Sequence, residues 1–321
     1  MPTTLQAVRT RIAIVNYRTS DCVVDCLRSL EPELEAVPGL SVTVVDNASG
    51  DASLEHLSEA IEENGWSGWV ELEAAPRNGG FAYGNNLVVQ SLFESEDETE
   101  LVMLLNPDTW IRPGAIRELV DFMQSHPDAG IAGCRLENPD GTLQSSCFRF
   151  YNLLSEFDAG LRLGIVSRAL KNHVTTPPAP IATTQIKWAS GAALMIRRKV
   201  FEDVGLMDDD FFLYYEEADF QRRAADAGWQ VWYVHEARVV HLIGKSSSVT
   251  GEAERVTRRP KYWYESRRRY FTKHHGRAYS FLASLAWFVG FSVWRVRRRV
   301  QRKPNFDPPG LWRDFLRYGF F

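Results

Sequence analysis

Three carboxylates within four residues, Glu216, Glu217 and Asp219, follow Asp208, Asp209 and Asp210 in the run DDDFFLYYEEADF. Clustered acids raise one another's proton affinity, which suits a general base. The plainer use of the same residues is an acidic first helical turn steadied by the macrodipole, although the aromatic flank argues against a merely solvated face. Asp108 closes Asn106-Pro107-Asp108 directly after the apolar run LVMLL. A carboxylate at a buried strand end is costly unless it meets a cation, so Asp108 is a candidate Mg²⁺ or Mn²⁺ ligand, with substrate phosphates and water completing the shell. A simple turn is the alternative. Asp46 and Asp51 bracket the loop of VVDNASGD. An aspartate there can accept from the imide N–H of uracil or thymine, or make an Asx-turn and helix N-cap, the reading favoured for Asp51. Arg77-Asn78-Gly79-Gly80 opens a segment with three glycines and three asparagines before a helix. Glycines let backbone approach a ligand, and Arg77 could grip phosphate bidentately, yet the order is not GxGxxG. His241 ends a strand-like run and, taken alone, reads as structural. Gly244-Lys245-Ser246 mimics a phosphate loop, but Val239 stands where its first glycine belongs.

These residues need elements to hold them. Arg11–Tyr17, Leu40–Val45, Trp69–Glu73 and Leu101–Leu105 read as strands, and helices are expected over Cys22–Leu30, Ser53–Asn64 and Gly84–Phe93. Strands alternating with helices predict a mostly parallel sheet covered on both faces. Ligands of such sheets sit at the carboxyl ends of the strands, where the polar clusters fall. Further on, Gln230–Val234 and Ala237–His241 read as two short strands.

The chain has 321 residues, 45% of them apolar, which is enough for a large core without disulfide or metal staples. The four cysteines show no zinc or redox spacing, and MPTTLQAVRT lacks the apolar core of a secretory leader, so a cytoplasmic protein with reduced thiols is expected. Residues 251–321 carry 17 Lys or Arg against 5 Asp or Glu, whereas the other 250 residues carry 20 against 36. The acidic part suits a divalent cation and the basic tail an anionic surface. Ala278–Trp294 is uncharged over 17 residues between arginine clusters. Its length is at the lower edge for crossing hydrocarbon, and Gly290 with two tryptophans suits a helix lying in the membrane interface. A buried helix or a homodimer contact is the alternative. No nucleic-acid reading motif accompanies the arginines.

In order along the chain, VNYRTSD, VVDNASGD, RNGGFAYGNN, LLNPDTW, WASGAALMIRR, DDDFFLYYEEADFQRR and VVHLIGKSS resemble the inverting family 2 glycosyltransferases, especially the bacterial rhamnosyltransferase-like branch, over residues 10–270. The resemblance implies an α/β GT-A fold over residues 1–250, with a nucleotide-sugar-binding half (8–130) and an acceptor half (131–250), followed by a basic helical region (251–321). It implies Mg²⁺ or Mn²⁺, and a nucleotide-diphospho-sugar donor: dTDP-rhamnose first, UDP-hexose or UDP-galactofuranose as alternatives. The acceptor would be a saccharide, free or linked to a polyprenyl diphosphate at the cytoplasmic face of the inner membrane. By position, Tyr17 and Asp46 fall at the pyrimidine; Arg77, Asn78 and Gly80 toward the ribose and pyrophosphate; Asn106 at a donor hydroxyl or water. Asp108 and His241 fall at the metal, and Glu217 at the catalytic base, with Glu216 its rival and Asp219 a supporting acid. A non-catalytic scaffold on the same fold is a rival reading. A sugar-phosphate nucleotidyltransferase would need a glycine-rich basic loop that RIAIVNYRTS lacks.

Overall fold

The computed structural model describes residues 8–95, 97–242 and 257–320. Its strands are β1 (Thr10–Asn16), β2 (Leu40–Asp46), β3 (Val70–Ala74), β4 (Leu101–Leu105), β5 (Thr109–Ile111), β6 (Ala129–Glu137), β7 (Cys147–Phe148), β8 (Thr184–Ile186), β9 (Trp188–Ala189), β10 (Ala193–Arg197) and β11 (Gln230–His241). The helices are α1 (Ser20–Leu30), α2 (Glu33–Ala36), α3 (Ser53–Glu63), α4 (Gly80–Glu94), α5 (Ala115–Ser125), α6 (Leu153–Leu161), α7 (Gly164–Ala169), α8 (Arg198–Val204), α9 (Glu216–Asp226), α10 (Lys261–Val300) and α11 (Leu311–Tyr318).

The main sheet has the order β3-β2-β1-β4-β10-β6-β11-β5, with β8 also beside β11, while β7 and β9 form a separate ribbon. β1 pairs in parallel with β2 and β4, and β2 with β3, whereas β10 enters antiparallel between β4 and β6. Every residue of β4 is buried. Leu101, Met103 and Leu105 face one apolar cluster, and Val102 and Leu104 the other. That two-fold alternation inside a continuous apolar run is what a strand covered on both faces requires. Register then aligns the strand ends: Asn16 pairs with Asp46, Ile14 with Leu105, and Leu105 with Ala193. The end of β1, the end of β2, the segment after β4 and the start of β10 thus share one edge.

Three expectations are corrected. α4 starts at Gly80, a turn earlier than expected, so the glycine pair opens the helix. β11 is one strand whose pairing with β6 shifts register between Val234 and Arg238, where two strands were expected. The basic region is helical, as expected, but it folds back on itself and buries part of the segment expected at a membrane. Gly276 breaks α10 with φ 83° and ψ 166°, and Arg267 Nη1 donates to Ser284 Oγ at 2.9 Å. Seventeen residues of continuous helix would hold that pair ~25 Å apart; the chain therefore doubles back, and residues 261–275 and 277–300 form a hairpin. The second arm packs on α6, where a Cβ at Gly160 would strike the Trp287 carbonyl oxygen and one at Gly290 would lie 2.7 Å from the Phe157 carbonyl oxygen. Gly290 and Trp287, expected at a membrane interface, are buried in this helix pair.

Candidate active site

β1, β2, β4 and β10 deliver four loops to the common edge. In the loop after β2, Asp46 is 5% exposed and its carboxylate is occupied. Oδ1 accepts from Asn16 Nδ2 at 2.7 Å and Ser49 Oγ at 2.5 Å, and Oδ2 from Ser49 N at 3.1 Å. The Asx-turn alternative is thus what the loop adopts, and Asp46 braces it. Tyr17, 39% exposed, lies on the same rim with the Arg18 guanidinium 5.2 Å from its ring centre. Asp51 accepts from Ser53 N at 3.0 Å and serves the start of α3.

The glycine-rich segment approaches protein backbone. Gly80, at φ 87°, lies so close to the Phe212 carbonyl that any Cβ would overlap it, and Phe81 N donates to that oxygen at 3.2 Å. Gly80 O accepts from Asn47 Nδ2 at 3.0 Å, and Asn78 Oδ1 from Gly80 N at 3.1 Å and Asn47 Nδ2 at 3.2 Å. Gly80 and Asn78 are therefore a junction between the β2 loop and the acidic loop before α9, which differs from the direct ligand contact expected of them. Arg77 remains at the rim, its guanidinium 4.2 Å from the Tyr83 ring centre and 4.0 Å from Asp209.

After β4, Asn106 N donates to Ala192 O at 2.9 Å, which ties this turn to the start of β10. Asp108 is fully buried, and its Oδ1 is 3.5 Å from His241 Nε2. A residue the sequence did not flag, Gln144, sets the histidine. Its Nε2 donates to His241 O at 2.6 Å and Asn138 Oδ1 at 2.7 Å, so its Oε1 is the atom 3.3 Å from His241 Nδ1. A proton on Nδ1 satisfies that oxygen and leaves the Nε2 lone pair toward Asp108. Among the described residues no three His, Cys, Asp or Glu side chains form a metal cage. One carboxylate and one imidazole nitrogen nevertheless fit a divalent cation whose remaining ligands are substrate phosphates and water.

α9 brings the acids. Tyr214 and Tyr215 precede it with φ 71° and 73°, a left-handed conformation that costs non-glycine residues of order 1–3 kcal/mol each. Packing of the Tyr215 ring 4.8 Å from that of Tyr151 and 5.7 Å from that of Tyr270 holds the turn. Glu216 is 3% exposed; burial, and then the charge of Glu217, push its carboxyl well above the ordinary range. Glu217 is half-buried. Burial raises its pKa too, against hydrogen bonds from its own and Ala218's backbone. Glu217 Oε2 is closed from solvent with no hydrogen-bond partner. A Cβ on Gly191 would lie 3.3 Å from Glu217 Cβ; Gly191 precedes Ala192, the residue bonded to Asn106. The turn bearing Asp108 and the helix bearing Glu217 thus meet at the start of β10.

Asp219 is differently placed. It is fully buried and accepts from Arg223 Nε at 3.0 Å, Lys273 Nζ at 2.9 Å and His274 Nε2 at 2.9 Å. Burial alone would raise its pKa, but the hydrogen bonds from His274 and Lys273 and the charges of Lys273 and Arg223 outweigh it and hold the carboxyl at about 2. With three donors around it, Asp219 anchors α9 to the tail hairpin. Lys273 and His274 lie 54 and 55 residues away in a run that reads locally as surface charge, so no sequence signal marked them.

A model of the family described as glycosyl transferase family group 2 matches residues 101–300, more than half of the chain. The chain belongs to that family. This glycosyltransferase is 27% identical over 212 residues to the N-acetylglucosaminyl-diphospho-decaprenol L-rhamnosyltransferase of Mycobacterium tuberculosis, covering 63% of this chain and 66% of that one. It is 28% identical to the dTDP-rhamnosyl transferase RfbF of Shigella flexneri over 64% of this chain and 61% of the relative. The matches span just under two thirds of these relatives' length. Among solved structures, the glycosyltransferase superposes on the mannosyltransferase PcManGT of Pyrobaculum calidifontis, solved with GDP-Man and Mn²⁺, with a TM-score of 0.57 at 15% identity over 99% of this chain and 86% of that one. The fold is GT-A, as the sequence motifs implied.

Proposed function

We propose that this glycosyltransferase moves L-rhamnose from dTDP-rhamnose, with inversion, to a hydroxyl of a saccharide carried on a polyprenyl diphosphate, in cell-envelope polysaccharide synthesis at the cytoplasmic face of the membrane. One observation carries the reading. The carboxylate of Glu217, which like Glu216 keeps one oxygen without a hydrogen-bond partner, borders the same sheet edge as the Asp108–His241 pair, and Gly191-Ala192 touches both loops. The names of the mycobacterial and Shigella relatives supply the donor and the acceptor class.

In this reading Glu217 accepts the proton of the attacking hydroxyl as it meets the anomeric carbon, a role that contributes typically ~10²–10⁴-fold. Glu216, the more deeply buried acid, stays neutral. Arg77 at the rim pairs with a phosphate, and Tyr17 offers its ring to the thymine. Asp108 and His241 would hold a divalent cation, which when bound supplies electrostatic stabilisation of the leaving diphosphate. Gln144 keeps the His241 lone pair on the correct nitrogen. Because burial raises the Glu217 pKa, transfer should rise with pH through that raised value, when the base becomes ionised.

The test is transfer and donor hydrolysis with a panel of dTDP- and UDP-sugars, with and without Mn²⁺. Glu217→Gln should abolish both while calorimetry still detects donor binding, and Asp108→Ala should weaken the binding of donor plus metal. Wild-type turnover in Glu217→Gln would move the base elsewhere, and hydrolysis restricted to UDP-sugars would replace the donor.

A further inference from the structure

Residues 277–300, the second arm of the tail hairpin, are apolar on two opposite sides. Ser280, Ala283, Ser284, Trp287, Gly290 and Phe291 are buried, facing α6, α11 and the first arm. Leu282, Leu285, Val289, Val293, Val296 and Val300 are between 40% and 78% exposed. At 3.6 residues per turn these six fall within an arc of roughly 80°, and the buried set is centred on the opposite side. The outward stripe runs over some five turns, longer than scattered surface hydrophobics require.

The charges around it select the occupant. Residues 277–300 hold five arginines and no acid. Arg277 stands at one end of the stripe, and Arg295 and Arg299 at the other, followed by Arg302 and Lys303. A second copy packed on the stripe, in either direction, would bring arginine against arginine with no counter-charge. A bilayer carrying anionic lipid would not, since it offers hydrocarbon to the valines and phosphate to the arginines. Arg295 also lines a cleft of about 330 Å³ with Arg298, Arg313 and Trp312. The one acid there, Asp307, already pairs with Arg162 at 2.5 Å and faces Arg298 at 3.9 Å. Burial and the neighbouring Arg299, Arg298 and Arg313 work against the charge on Arg295, partly offset by Asp307, and a bound phosphate would relieve the remaining excess.

We infer that the outward stripe of residues 282–300 lies in the headgroup region of an anionic bilayer, with the Arg295–Arg298–Arg313 cleft holding lipid phosphate. The inference deepens the membrane placement proposed above by naming the face, and its evidence is independent of the donor. It also gives the hairpin two tasks: the first arm grips Asp219 through Lys273 and His274, and the second rests on lipid. The catalytic helix α9 is then fixed relative to the bilayer.

The full chain should pellet with vesicles of phosphatidylcholine plus phosphatidylglycerol about tenfold or more better than with phosphatidylcholine alone. Val289→Glu/Val293→Glu, at two exposed positions, should abolish pelleting and leave hydrolysis of a soluble donor unchanged. Arg295→Gln/Arg299→Gln should lower binding to anionic vesicles toward the neutral level. Equal pelleting of wild type and Val289→Glu/Val293→Glu overturns the inference. So does a solution dimer that this variant dissociates, without vesicle binding by the wild type. Vesicle binding without donor hydrolysis would instead defeat the enzymatic reading and leave this one standing.

Discussion

Glu216 and Asp219 are both buried near the start of α9, yet their electrostatics are opposite in sign. Asp219 is held at about 2 by its donors, so its stabilising contribution is fully present above the ordinary aspartate pKa and fades as pH falls toward 2. From the ordinary aspartate value of 3.8 this amounts to about 2 kcal/mol at neutral pH. Asp219→Asn should lose at least that much and flatten the acid limb of stability measured by denaturant titration against pH. For Glu216 the folded pKa is raised, chiefly by burial. Its burial is harmless while protonated and destabilises as pH rises past the unfolded value. Glu216→Gln should therefore unfold at higher denaturant at neutral pH, and the gain should vanish in acid. A loss of stability in Glu216→Gln would show that its charge is needed. The sequence displayed these acids as one cluster; Asp219 is set apart by Lys273 and His274 from far along the chain, whereas burial is what raises the carboxyls of Glu216 and Glu217.

At the scale of elements, the join between α6 and the tail hairpin is the most exacting contact. Arg267 and Glu156, 1% and 5% exposed, meet through two guanidinium nitrogens at 2.5 and 3.0 Å. Arg267 also lies 5.0 Å from the Phe271 ring centre and 5.1 Å from that of Phe315. Removing one partner strands a buried charge, whereas replacing both with apolar groups need not cost stability. Arg267→Met should cost about 3–5 kcal/mol, and Arg267→Met/Glu156→Leu should recover most of it, as read by chemical denaturation. Equal losses in the single and double variants would contradict this account. The parallel half of the sheet was legible because short apolar runs such as LVMLL, bounded by turn residues and alternating with helices, fit strands buried on both faces. The hairpin turn was not, because HHGRAY carries no sign that the chain reverses at Gly276.

For the whole molecule, the basic region was expected as a separate C-terminal part, but its hydrogen bonds reach into the centre. Besides Lys273 and His274 on Asp219, Arg269 Nη2 lies 2.9 Å from Asp208 and Ser266 Oγ donates to Leu213 O at 3.0 Å. The acidic loop is therefore sandwiched between Gly80 and the first arm of the hairpin. The full chain should unfold in one calorimetric transition, and truncation after residue 256 should lower its melting temperature and abolish donor hydrolysis. Two separate transitions, or an active truncated protein, would make the tail an independent unit.

The sequence by itself determined the class of the molecule: buried strand runs followed by polar clusters require an α/β sheet with its chemistry at one edge, and the ordered motifs point to the GT-A enzymes. It also determined which carboxylates are candidates, since acids beside apolar and aromatic runs cannot all be solvated. Only the tertiary structure decided which of them is spoken for. Asp46 turned inward to its own loop, Gly80 met a carbonyl, Asp219 met three donors, and Glu216 and Glu217 each kept an oxygen without a hydrogen-bond partner. The physical reason is that a side chain's availability depends on who else reaches it. Here the deciding partners (Gln144, Phe212, Lys273 and His274) lie scores of residues away, where local pattern carries no information.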